Sequence, residues 1–225
     1  MRPTRLPEPP EYAALRDELQ QAEIALMQQR EKVAALRRAL PTGNRVDDYA
    51  FTEGPRRLED GDTPVAMVTL SGLFTAPDRP LVLYHLMHGK AQISPCPMCS
   101  MWIDGFNGVA HHLAQNVDFA IVAAADIVPL RALARSRGWD RLRLLSCGDT
   151  TFKFDLGSED ADGNQDSAIS VFTRGPDGSP LHFYTTHPTM SDDIPERGID
   201  LLCPVWHVLD LTPTGRGDWY ASLDY

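Results

Sequence analysis

Apolar residues, with Gln29 among them, recur along the first forty positions in alternating steps of four and three: Leu15, Leu19, Ala22, Leu26, Gln29, Val33, Leu36 and Leu40. With Arg, Glu, Gln and Lys on the other faces, the spacing predicts one long amphipathic helix over residues 11–40. It is a heptad seam with a single polar position, Gln29. Pro7, Pro9 and Pro10 lead into it, and Pro41-Thr42-Gly43 stops it. At its rise per residue such a helix reaches about 45 Å, longer than a compact domain needs. Residues 1–44 therefore read as a helical arm whose seam makes a homodimer; the alternative is a helix folded back on its own domain.

From residue 45 onward the period changes. Tyr49 and Phe51 alternate with polar neighbours and read as a short edge strand, and residues 65–70 as a second strand. The run Leu81-Val82-Leu83-Tyr84-His85-Leu86 reads as a buried strand. Residues 97–114 return to helical spacing, with Met98, Trp102, Phe106, Val109 and Leu113 as the core face. Gly105 and Gly108 interrupt that helix and suggest close packing against a sheet. Residues 117–124 form a continuous apolar run of strand length, as a central parallel strand requires. A short helix over 128–137, ended by Gly138, and a strand over 142–145 follow. Residues 150–166 are polar and acidic and read as an exposed loop without chemistry. The runs 168–173 and 181–186 flank Gly175-Pro176-Asp177-Gly178 and predict a β-hairpin. Residues 198–208 read as a last helix, and 209–216 as a loop-like tail. The order from residue 45 to 225 is that of an α/β domain with a thioredoxin-like central mixed sheet flanked by helices.

The candidate chemistry lies at one joint of this pattern. Cys96-Pro97-Met98-Cys99 follows the strand at 81–86 and opens the helix after it. Two cysteines two residues apart at a helix start let both sulfurs meet on one turn, and the helix N-terminus favours thiolate at the first. Pro97 suits the first helical position, where an N–H has no partner anyway. Zinc sites use the same spacing but want a second pair or nearby histidines, and Cys147 and Cys203 stand alone. The pattern favours a redox dithiol over a metal site, with two small apolar residues buried at a helix start as the plain structural alternative.

Composition narrows the setting. A formal net charge of −10 over 225 residues argues against nucleic acid or an anionic membrane surface as partner. Four cysteines are too few for a disulfide scaffold, so a reducing, cytoplasmic compartment is the expectation. The N-terminus carries no apolar signal segment, and the longest apolar run is too short to span a bilayer. Neither a cofactor nor a metal is called for.

Arg38-Ala39-Leu40-Pro41, Leu81 through Met87, Cys96-Pro97-Met98-Cys99-Ser100-Met101-Trp102, Arg137-Gly138-Trp139, Ser170-Val171-Phe172 and Leu209-Asp210-Leu211-Thr212-Pro213-Thr214-Gly215-Arg216 together carry a resemblance. The chain resembles the thioredoxin-like family of bacterial predicted dithiol–disulfide oxidoreductases, a family built on a domain of unknown function. The resemblance spans nearly the whole chain and implies the fold and a disulfide-containing protein or small molecule as substrate. Two departures stand out. Thioredoxin-like enzymes usually place a cis-proline before the strand that begins the antiparallel half, where this chain has Ser167-Ala168. Classical thioredoxins bury an acid on the strand before the dithiol, where this chain has Tyr84 and His85.

By position Cys96 is the expected nucleophile and Cys99 the resolving thiol, with Pro97, Tyr84, His85 and Trp102 in support. His85 and His88 should fall on opposite faces of their strand end, which argues against a shared metal. Lys90 reads as a solvated loop lysine, and Cys147 and Cys203 as inert buried thiols. Peroxiredoxins resemble one another in a proline seven and a threonine three residues before the reactive cysteine. Here those positions hold Gly89 and Ile93 before Cys96, or Gln92 and Cys96 before Cys99. The competing class is a non-enzymatic thioredoxin-fold assembly module with a vestigial dithiol.

Overall fold

The computed structural model describes residues 7–191 and 197–225. The chain divides into two compact units, Met1–Pro41 and Thr42–Tyr225.

The first unit is one helix, α1 (Pro10–Arg38), with Pro9 before it and Arg37 and Arg38 in its last turn. Pro10 occupies the first turn, where its missing N–H costs nothing. Leu15, Leu19, Leu26, Met27 and Leu36 all lie exposed along it.

The second unit is built on seven strands: β1 (Ala50–Glu53), β2 (Ala66–Thr69), β3 (Leu81–His85), β4 (Asp118–Ala123), β5 (Arg143–Ser146), β6 (Ala168–Arg174) and β7 (Pro180–Thr186). They form one sheet in the order β2-β1-β5-β4-β3-β6-β7. The central strands β3, β4 and β5 run parallel, joined through helices α2 (Pro97–Leu113) and α3 (Ile127–Arg137). β6 and β7 extend the sheet antiparallel from β3, and β1 and β2 extend it antiparallel from β5. The short helices α4 (Phe152–Asp155) and α5 (Pro204–Asp210) complete the unit. A parallel β-α-β half, an antiparallel hairpin on the strand that feeds the first core helix, and a closing helix make a thioredoxin-like fold.

Alternation along the strands splits the interior in two. Tyr84, Ile121, Ala123 and Leu144 turn toward α2, α3 and α5, where they pack with Trp102, Phe106, Leu130, Trp139 and Trp206. Leu81, Leu83, Ala120, Val122 and Leu145 turn to the opposite face, onto Phe51, Leu73, Phe74, Phe152 and Phe172. α3 stops at Gly138, whose φ of +69° is the left-handed conformation that glycine adopts without strain. The Trp139 N–H then bonds back to Ala134 O at 2.9 Å.

Five sequence expectations need correction. β1 is not an edge strand: it pairs with β2 on one side and β5 on the other, leaving β2 outermost. Val109 does not belong to the core face of α2. It is exposed, and Ala110 is buried in its stead, because a 3.6-residue turn carries the buried stripe through 99, 102, 103, 106 and 110. Gly105 does not face the sheet; a Cβ there would meet Pro204 of α5 at 3.8 Å, and Gly108 faces open space. Residues 150–166 are not one exposed loop, since α4 interrupts them and Phe152, Lys153 and Ser158 are fully buried. The last helix also breaks. A 3₁₀ turn, Asp200–Leu202, precedes Cys203, whose extended backbone (φ −125°, ψ 116°) is the conformation a residue before proline prefers. No helix among the described residues is long and apolar enough to cross a membrane.

Candidate active site

β3 delivers the chain to the site. Its Leu86 N–H bonds to Val122 O at 2.9 Å, after which the chain leaves the sheet. The loop returns so that the Cys96 N–H bonds to Met87 O at 3.0 Å. Cys96 is the N-cap of α2, with an extended backbone, and its sulfur accepts the Cys99 N–H at 3.5 Å. Pro97 follows at the first helical position. The Ser100 N–H and hydroxyl both reach Cys96 O at 3.1 Å, which locks the first turn. Cys96 is half-buried and Cys99 fully buried, and neither is in a disulfide. The outer sulfur thus sits at the positive end of a 17-residue helix, with the inner one beneath it.

Tyr84 and Trp102 lie in the core under the dithiol, with ring centroids 6.3 Å apart in an edge arrangement. Tyr84 Oη is buried and makes no regular hydrogen bond; its polar neighbours are thiols, foremost Cys99. Burial, and then the charge that Cys99 would carry, push the Tyr84 phenol well above its usual range. Burial and then Cys96 raise the Cys99 thiol, while the Tyr84 phenol and the Met87 backbone N–H pull it down. Cys203, the N-cap of α5, shares this core, and burial raises its thiol too.

The structure does not bring His85 to the dithiol. One residue on from Tyr84 along β3, it faces the other core and stacks on Phe152 at 5.3 Å. Its Nδ1 lies 2.6 Å from Ser158 Oγ, and Ser158 in turn donates to Lys153 O at 3.2 Å. The single hydroxyl proton being so used, His85 donates from Nδ1. Burial, then the Lys153 charge, hold His85 far below the usual histidine range, so it is neutral. His88 is buried beyond the strand end; Lys90 pairs with Asp149 at 2.8 Å on the surface. Cys147 is buried, donates to Ala123 O at 3.3 Å, and is pushed up to about 12 by burial. Ser167, not proline, precedes β6. Among the described residues no three His, Cys, Asp or Glu side chains gather as a metal site would require.

Lys153 escaped the sequence reading. It is 1% exposed, and its ammonium donates to Leu86 O at 3.0 Å, directly behind the turn into the dithiol loop. The available signal was Phe152-Lys153-Phe154, an aromatic pair inside an otherwise acidic stretch.

Fold and site together define a thioredoxin-like α/β protein with a reduced dithiol at a helix N-terminus. A family model described as "Bacterial protein of unknown function (DUF899)" matches residues 1–225, and the chain belongs to that family. No curated protein matches the chain. Among solved structures, the chain is similar to reduced Prx3 of Vibrio vulnificus in complex with hydrogen peroxide at 17% identity, over 65% of this chain and 86% of that one, with a TM-score of 0.47. A reduced 2-Cys peroxiredoxin of Plasmodium vivax matches at 11% identity over 72% and 91%, TM-score 0.49. AhpC of Enterococcus faecalis matches at 12% identity over 80% and 98%, TM-score 0.47.

Proposed function

We propose that the protein is a thiol–disulfide oxidoreductase in which Cys96 attacks and Cys99 resolves. The observation that carries this reading is the stacked pair at the mouth of α2: a half-exposed capping sulfur directly above a fully buried one. In the reductive direction the Cys96 thiolate attacks a substrate disulfide, RSSR. One RS⁻ leaves, and a Cys96–S–S–R mixed disulfide forms. The Cys99 sulfur then attacks Cys96 Sγ, the bond to R breaks, and the second RS⁻ leaves. Two thiols become one disulfide, and the substrate gains two electrons and two protons. The sulfurs carry both electrons, so the exchange as written needs no further group.

A redox titration of the Cys96/Cys99 pair, read by alkylation and mass spectrometry, tests the proposal. Cys99→Ser should trap the mixed disulfide at Cys96, and Cys96→Ser should abolish disulfide reduction. Unchanged reduction in both variants leaves the binding-module reading in its place.

The exposed seam of α1 supports a second proposal, that the same helix of a second copy covers it. Its apolar side chains recur at coiled-coil spacing, and no residue of α1 is buried. A full-length chain that is monomeric by light scattering at high concentration would rule this out.

A further inference from the structure

We propose that Lys153 tunes the resolving thiol of Cys99 through the one peptide group that joins Leu86 to Met87. The proposal rests on the disulfide-exchange reading and deepens it. The two ends of that amide face two different groups. Its carbonyl, Leu86 O, accepts the Lys153 ammonium at 3.0 Å inside the protein. Its N–H, on Met87, points the opposite way across the planar amide, away from Lys153, and lowers the cost of a thiolate at Cys99. The neighbouring Met87 carbonyl holds the Cys96 N–H at 3.0 Å, so the same strap touches both cysteines. Leu86 O also takes the His88 N–H at 2.9 Å, which fixes the plane of the amide.

A cation on a carbonyl oxygen draws electron density from the amide nitrogen and makes its N–H a stronger donor. Hydrogen bonds in series polarise one another in this way, most strongly at low dielectric. Lys153 is placed to exert the effect. It is buried on α4, and its partner is the Leu86 carbonyl rather than a carboxylate. The titratable groups facing it are Cys147 after β5, Glu159 and Asp166 in the loop after α4, His85 on β3, and Cys99 on α2. Burial alone would neutralise such a lysine, and those thiols and carboxylates work against that loss. A thiolate forming at Cys99 supplies the counter-charge the lysine lacks.

Lys153 takes no proton and makes no bond in the reaction; it is a positioning residue. When Cys99 closes on the mixed disulfide, its proton leaves with the departing thiol. The Cys96–R bond breaks as the Cys96–Cys99 bond forms. What Lys153 changes is the pH at which Cys99 is ready to attack.

The test uses the reduced full-length protein mixed with an equimolar amount of 5,5′-dithiobis(2-nitrobenzoate) in a stopped flow. The first thionitrobenzoate released reports attack by Cys96, and the second reports closure by Cys99. Cys99→Ser identifies the second phase by removing it. Lys153→Gln keeps a donor for Leu86 O without the charge, and Lys153→Met removes both while filling the same space. In both variants the midpoint of the second phase against pH should move up, by about one unit for loss of a nearby charge. The alkaline plateau should rise roughly threefold per unit, because a more basic thiolate is a better nucleophile. A plateau that falls with the midpoint unmoved would mean packing damage and overturn the proposal. So would a second phase in both Lys153 variants with the pH profile of the wild type. A wild-type protein showing only the first phase would instead sink the disulfide-exchange reading itself.

Discussion

Tyr84 and Cys99, fully buried on facing elements, set each other's acidity: the phenol lowers the cost of a Cys99 thiolate, and that thiolate would raise the phenol. No carboxylate is needed beneath the dithiol for such coupling. The phenol can donate to the inner sulfur while remaining neutral over the whole physiological range.

Tyr84→Phe should therefore leave the fold intact, because Oη makes no regular hydrogen bond that the change would orphan. The Cys99 thiol should rise further, since one of the groups that lower it is gone. The pH midpoint of the second, Cys99-dependent release of thionitrobenzoate measures the shift. An unchanged profile would separate Tyr84 from the chemistry.

The four thiols should react in a fixed order. Cys96, the half-buried one, should take iodoacetamide in the native protein. Cys99, Cys147 and Cys203 should react only as the protein unfolds, because each is buried and burial raises each thiol. Peptide mass spectrometry after timed quenching reads the order. Native labelling of Cys147 ahead of Cys96 would contradict it.

Stability should fall in mild acid, and His85 should contribute to the fall. Burial depresses its folded-state value, so its contribution is complete above about 6.5, the unfolded value. It is lost as pH drops below that point, where the unfolded chain binds a proton that the folded one refuses. Each such proton is worth about 1.4 kcal/mol per pH unit. Burial lowers His88 and His182 as well, whereas Asp166 raises His187, which opposes the trend. His85→Asn keeps a donor toward Ser158 but cannot titrate. Urea midpoints between pH 7.5 and 5.5 should decline less steeply in that variant than in the wild type.

Arg216→Ala should destabilise the C-terminal corner. Arg216 bonds Asp200 at 2.6 Å and Asp210 at 2.9 Å, and its guanidinium lies 4.7 Å from the centre of the Trp206 ring. Asp200 is 4% exposed, so removing the arginine strips a buried carboxylate of a principal partner. Arg197 still reaches Asp200 at 2.9 Å. The loss should be roughly 2 kcal/mol by denaturant unfolding, less than for a fully buried pair. Asp200→Asn combined with Arg216→Ala should recover part of it.

Much of this molecule was legible in its residue pattern because the pattern is local. The 81–86 run, the dithiol at the next helix start and the 117–124 run each state their role within a few residues. The tail motif could be recognised from its residues, yet not understood. Asp210 and Arg216 meet only because the chain turns back on itself, and Arg216 then also bonds Asp200. Lys153 was invisible for a similar reason. It sits in a four-residue helix too short to show a period, and its partner Leu86 lies 67 residues away. A buried lysine breaks the rule that charged stretches are surface, and no sequence pattern announces the exception. His85 was assigned to the dithiol by its closeness in sequence, where the strand's two-residue period turns it to the other face.

That period has a consequence for how this gene can vary. β3 pairs with β4 and β6 in unbroken register from Leu81 to His85; a register shift falls in the next pairing, β6 with β7, at Val171/Phe172. One residue inserted or deleted within β3 would exchange the surroundings of Tyr84 and His85. An imidazole would come to lie beneath the inner sulfur, and a phenol beside the buried ammonium. Point substitutions here change one contact at a time, whereas a single codon gained or lost would invert the polarity of both chambers at once.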